Sequence, residues 1–116
     1  VNAKRAKSLQ QSGWSFRDSH KVSGTTLRSI YDQYFESEPV DLLTIDIEEN
    51  DFDALNSMSF ETLPNFRLPR WIAAETTPPV EEVLSSSITK LLHNYYQVVL
   101  VLPRTTLYKV KTCLLP

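Results

Sequence analysis

Two periods of apolar and polar positions run through this chain, and the switches between them mark its elements. In "TTLRSIYDQYFESEP", Leu27, Ile30, Tyr31 and Tyr34 share one face of a helix capped by Thr25 or Thr26. Pro39 stops that helix and biases Glu38 towards an extended backbone. In "VDLLTIDI" the period is lost: Val40, Leu42, Leu43, Ile45 and Ile47 occupy both parities. Such a run predicts a strand buried on both faces, as in a parallel sheet between helices. "NDFDALNSM" follows as a short helix with Asn50 as its cap and Phe52 and Leu55 facing inward. "WIAAE" is a second buried strand, ending in Glu75. A long helix then carries Val80, Val83, Leu84, Ile88, Leu91 and Leu92 on one stripe, with Pro79 near its first turn. "QVVLVLPRTTLYKVK" predicts two strands joined tightly at Pro103 and Arg104.

At the start of the chain, Ala3, Ala6 and Leu9 predict a helix between the cap Asn2 and Gly13. A loop with a short strand near His20 to Val22 is expected next. Strands alternating with helices predict an α/β fold with right-handed crossovers. The closing hairpin adds an antiparallel pair at one edge. The expected architecture is the second half of a doubly wound sheet, mostly parallel, in a single partial domain over residues 1–116.

Composition narrows the function. The 116 residues are 41% hydrophobic and 22% charged, a globular balance. A formal charge of −2 argues against a chain built to neutralise nucleic-acid phosphates. The basic "AKRAK" stretch, with Arg17 and Lys21, reads as a solvated face. Cys113 is the single cysteine, which excludes an internal disulfide and predicts a small buried hydrophobe. No apolar run reaches the ~20 residues of a membrane span, so a soluble, cytoplasmic protein without membrane partners is expected. The chain starts at Val1, which suggests a fragment or processed product. His93 suits the carboxyl end of a helix, and His20 a surface strand, so neither is expected to be a catalytic base. Trp14 is expected to pack over the core, and Arg104 to lie on the surface at its turn.

The chemistry concentrates at strand ends. Asp46 and Glu48 stand two residues apart at the carboxyl end of the first strong strand, and Glu75 ends the next. Ligands of open parallel sheets bind outside those ends. If both are extended, Asp46 and Glu48 point to one side, where carboxylates can take a proton from a hydroxyl. The same residues could instead cap the following helix, as Asn50 and Asp51 could. Three scattered acids without a neighbouring histidine do not predict a dedicated metal site.

"VDLLTIDIEENDFDALNSMSFE" resembles the Ile-Asp-x-Glu segment of FkbM-type methyltransferases. "TTLRSIYDQY" is similar to the family's threonine-leucine motif, "WIAAE" to its next strand, and "NYYQVVLVLPRTTLYKV" to its closing hairpin. "AKSLQQSGW" fits the helix and Gly-Trp that precede the motif in some members, so the resemblance covers most of residues 3–110. It implies a Rossmann-like fold, of which this would be the C-terminal half. It also implies an S-adenosylmethionine-dependent enzyme that O-methylates a sugar or small-molecule hydroxyl. Asp46 and Glu48 would then be catalytic, and Glu75 would bind substrate from the neighbouring strand end.

Two departures accompany the match. Glu49 stands where the family has glycine, which demands another turn or fills ligand space. Arg28 replaces an acid after the threonine-leucine pair, read as a surface change. The family holds its cofactor through an upstream glycine-rich turn, whereas this chain has only Gly13 and Gly24. The chain alone is therefore expected to be inactive and to bind the cofactor poorly. The alternative is a non-catalytic α/β remnant or interaction module.

Overall fold

The computed structural model describes residues 21–75 and 80–114, with the isolated positions 3, 4, 7 and 11. Ala3, Lys4, Lys7 and Gln11 are helical, in line with the helix expected there. The remaining residues of that helix, its stop at Gly13, Trp14, Arg17, His20 and Pro79 lie outside the described residues. Lys21 and Val22 belong to no strand.

Helix α1 spans Leu27–Tyr34, and Thr26 caps it by accepting the Ser29 amide at 3.1 Å. Tyr31 is buried and Leu27 packs against the core, but Ile30 and Tyr34 are exposed, the latter by 68%. The helix ends at Tyr34, so half of the predicted stripe overhangs the core instead of facing it.

Four strands follow: β1 (Leu42–Ile45), β2 (Trp71–Glu75), β3 (Tyr96–Val101) and β4 (Thr105–Val110). They form one sheet in the order β1-β2-β4-β3. Only β1 and β2 are parallel neighbours, and β4 is antiparallel to both β2 and β3. The expected mostly parallel sheet is therefore corrected to a mixed one. Two reversals restore direction, so β3 runs the same way as β1 and β2. The hairpin is not simply appended at the edge, because its second strand inserts between β2 and β3.

Burial alternates along β2 and β4, with Ile72, Ala74, Thr106, Tyr108 and Val110 on the buried face. Leu43 and Ile45 continue that face into β1 through their partners Ile72 and Ala74. Leu42 and Thr44 point the other way and are exposed, Leu42 by 54%. β1 is thus an edge strand buried on one face, not on two. Its apolar run cannot distinguish those cases, because a free edge and an uncovered face depend on distant neighbours.

A 3₁₀ turn, Glu48–Asn50, leads into helix α2, Asp51–Ser57. Leu55 is fully buried and Phe52 packs against the core, as the periodicity predicts. Asn50 makes no side-chain cap hydrogen bond. The predicted long helix is broken into α3 (Val80–Leu84) and α4 (Ser87–Leu92). Ser86 caps α4 by accepting the Thr89 amide at 3.2 Å, and the Thr89 hydroxyl donates to the Val83 carbonyl at 2.7 Å. Serine and threonine compete for backbone groups in this way, which ends one helix and starts another. Val83, Ile88 and Leu92 remain buried, whereas Leu84 is exposed. His93 is the exposed residue that closes α4.

Buried polar ends of aromatics fasten the layers. Tyr96 donates to the Pro69 carbonyl at 2.6 Å, and Tyr108 meets the Thr89 hydroxyl at 2.8 Å. Burial pushes both phenols above their ordinary pKa, so they stay protonated and hydrogen-bonded. Arg28 is not a mere surface change. Its guanidinium donates to the carbonyls of Met58 and Ser59, to the Thr62 hydroxyl and to Asp32. It therefore ties α1 to the carboxyl end of α2, where helical carbonyls lack internal partners. Cys113 is exposed in the last 3₁₀ turn, Thr112–Leu114, and not buried as expected. Among the described residues, no helix is long and apolar enough to cross a membrane.

Candidate functional site

The parallel pairing aligns Ile45 with Ala74, so Asp46 and Glu75 leave their strands side by side. Glu75 also pairs with Thr105, which brings the β3–β4 turn and Arg104 to the same edge. Together Thr44, Ile45, Asp46, Glu48, Ala73, Glu75, Arg104 and Thr105 line an open concavity of about 440 Å³. That volume is within the range of small-ligand sites.

Carboxylate oxygens of Asp46, Glu48 and Glu75 all lie within 4.8 Å of one another. The sequence anticipated this meeting, but by a different geometry. Asp46 and Glu48 do not alternate along one extended strand, because β1 ends at Ile45. Ile47 has φ −120° and ψ 33°, and Glu48 adopts φ 58°, in the left-handed region. A turn, and not strand parity, brings the second acid back beside the first. Left-handed backbone is unfavourable for a side chain larger than glycine and tends to gather at functional sites. Glu49 lies in the 3₁₀ turn, so the left-handed position falls one residue before the glycine of the resemblance. The departure at Glu49 is met by a different turn.

Helix capping does not account for the two acids. Neither the 3₁₀ turn nor α2 has a side-chain hydrogen bond at its N-cap. Asp51, the first residue of α2, instead reaches back and accepts the Ile47 amide at 2.8 Å.

The electrostatics of the cluster are unbalanced. Glu75 is held above the ordinary glutamate range, first by its hydrogen bond with Asp46 and then by partial desolvation. Repulsion from Asp46 and Glu48 acts in the same direction, and Arg104 opposes it. Arg104 Nη2 is 3.6 Å from Glu75 Oε1, but the side chain is 86% exposed and screened by water. Beside Asp46, ionisation of Glu75 is therefore opposed, as it is in close acid pairs. Carboxyl groups accept hydrogen bonds when ionised and can donate one when protonated, which suits them to hold a hydroxyl.

Arg104 lies on the surface at its turn, as the sequence predicts, and reaches within 3.6 Å of Glu75. Sequence reasoning located the three acids but passed over Thr44 and Thr105. The missing signal was register: only the pairing of Glu75 with Thr105 shows that the hairpin turn returns to the acidic edge. No protein-family model, curated protein or solved structure matches this chain.

Proposed function

We propose that this chain supplies the acceptor side of an S-adenosylmethionine-dependent methyltransferase of FkbM type, acting on a hydroxyl of a sugar or small molecule. The observation that carries the reading is the gathering of Asp46, Glu48 and Glu75 within 4.8 Å at the carboxyl edge of the parallel pair. The Rossmann-like fold belongs to the same proposal, supported by three strands of one direction and helices between them.

The cluster suits the acceptor better than the donor. Anionic oxygens favour a nearby sulfonium, but an adenosine needs a close backbone approach that glycine usually provides. Gly13 lies outside the described residues, and Gly24 has no heavy atom near the place its Cβ would take. The described residues therefore do not fit the cofactor, and in this reading its grip lies outside them. On the acceptor side, Glu75 orients the hydroxyl from the neighbouring strand end. Asp46 or Glu48, as carboxylate, accepts the proton as the oxygen becomes nucleophilic. General-base assistance of this kind is worth about 10²–10⁴-fold in rate.

Transfer of labelled methyl from S-adenosylmethionine to a panel of sugar and small-molecule hydroxyls by the full-length protein tests the reaction. Loss of about 100-fold or more in the Asp46→Ala/Glu48→Ala double variant is expected. Unchanged transfer removes these residues from the mechanism, and no transfer to any hydroxyl overturns the reaction itself. The isolated chain should show no calorimetric binding of S-adenosylmethionine. Micromolar binding would contradict the division of labour.

A second reading, a non-catalytic α/β interaction module, draws on a different observation. Among the described residues β1 and β3 are both edge strands, with Leu42, Val99 and Leu100 exposed along them and Leu102 exposed just past β3. Apolar edges of this kind are ready to pair with a partner strand.

A further inference from the structure

Asp51 is the only buried acidic residue among the described ones, with 4% of its surface exposed. Its Oδ1 accepts the Ile47 amide at 2.8 Å, while Oδ2 has no hydrogen-bond partner. The amide it holds belongs to the residue between Asp46 and Glu48. Ile47 cannot fix that turn by packing, because its own side chain is exposed. A hydrogen bond from an amide to a buried carboxylate is stronger than one between neutral groups, and it leaves no orphaned N–H in the turn.

We infer that Asp51 is a positioning residue. Through the Ile47 amide it holds the turn that sets Glu48 in its left-handed conformation and so brings Glu48 beside the Asp46–Glu75 pair that the strands align. The inference concerns geometry and stands apart from the methyl-transfer reading. Loss of the Ile47 clasp lets Glu48 relax to ordinary backbone angles and withdraw from Glu75.

Glu75 reports on this arrangement, since it faces Asp46 and Glu48 from β1 and the following turn, and Arg104 from the β3–β4 turn. Its carboxyl titration, followed by ¹³C NMR, is compared in the wild type and in Asp51→Ala, Asp51→Asn and Leu55→Ala. Asp51→Ala is expected to lower the Glu75 midpoint in part, by the repulsion from Glu48 alone and with the Asp46 contribution kept, and to speed exchange of the Ile47 amide at least tenfold. Asp51→Asn keeps an acceptor at Oδ1 and should stay near the wild type in both. Leu55→Ala weakens the same helix from its buried face and should leave the Glu75 midpoint raised.

A Glu75 midpoint unmoved by Asp51→Ala, or lowered equally by Leu55→Ala, overturns the assignment. If the alanine variant does not fold, scalar coupling across the hydrogen bond between Ile47 ¹⁵N and Asp51 ¹³Cγ decides in the wild type. Its presence together with a near-native Asp51→Asn supports the clasp, and its absence removes it. A wild-type Glu75 that already titrates as an ordinary glutamate overturns the gathered cluster and the positioning together.

Discussion

Two charged clusters in this molecule use the same residue types to opposite ends. In the first, Asp32 lies between two arginines, 3.0 Å from Arg28 Nε and 2.9 Å from Arg67 Nη2. Arg67 also stacks on the Tyr31 ring at 5.2 Å and accepts the Tyr31 hydroxyl with its carbonyl. Cations outnumber the anion, and Asp32 is held below the ordinary aspartate range, first by its hydrogen bond to Arg67. In the second, three acids face one exposed arginine, and Glu75 is pushed up. The first cluster pairs its anion with two cations and joins α1 to the segments after α2, although Arg67 Nε is buried without a hydrogen-bond partner. The second keeps unspent interaction capacity at the mouth of a concavity. A titratable group surrounded by counter-charges makes a structural tie, and one crowded by like charges makes a candidate site.

The comparison can be tested by breaking each side. The largest effect is expected from Arg28→Ala, which strips partners from the Met58 and Ser59 carbonyls and from Asp32. Urea denaturation should show a loss of about 2–3 kcal/mol, given what charged hydrogen bonds contribute and the cost of unpaired carbonyls. A loss below a few tenths of a kcal/mol would return Arg28 to an ordinary surface position. Glu75→Gln should act in the opposite sense and raise the urea midpoint at neutral pH, because it removes a repelled carboxylate. That gain should vanish in acid, where the wild-type group is already protonated.

The pH dependence sharpens the contrast further. The raised pKa of Glu75 means the folded chain binds its proton more tightly than the unfolded chain. Stability therefore rises as pH falls from neutrality through that raised value and levels off below the ordinary 4.5. The lowered pKa of Asp32 works in reverse: its contribution is complete above 3.8 and is lost as pH falls through the depressed value. Urea midpoints across pH should peak in mild acid. Glu75→Gln should remove the rise on the neutral side, and Asp32→Asn part of the fall on the acid side. Arg104→Ala should have the smallest effect. It should raise the Glu75 midpoint slightly, in NMR titration, because its exposed guanidinium is the one opposing charge.

What the sequence discloses follows the range of the interactions involved. "WIAAE" and "TTLYKV" are recognisable as β2 and β4 from the sequence, and the structure adds the alternating burial along each. The acids at positions 46, 48 and 75 are visible for the same reason: each stands at the end of a recognisable strand. Other features depend on partners far along the chain. β1 looks buried on both faces until its place at the sheet edge is known, and Arg28 looks superficial until Met58 and Ser59 arrive beneath it. The break between α3 and α4 was written in three consecutive serines but masked by an unbroken apolar stripe. Glu48 at φ 58° carries no local signal, since the turn depends on Asp51 accepting an amide four residues back.

The central claim is that the carboxylates on β1's carboxyl side and at the end of β2 form one interacting group, in which Asp46 raises the pKa of Glu75. Residue-resolved ¹³C titration of Glu75, in the wild type and in Asp46→Asn, tests it most directly. The account predicts a wild-type midpoint above 4.5 that drops when Asp46 loses its charge. A midpoint at or below 4.5, indifferent to Asp46, would contradict it.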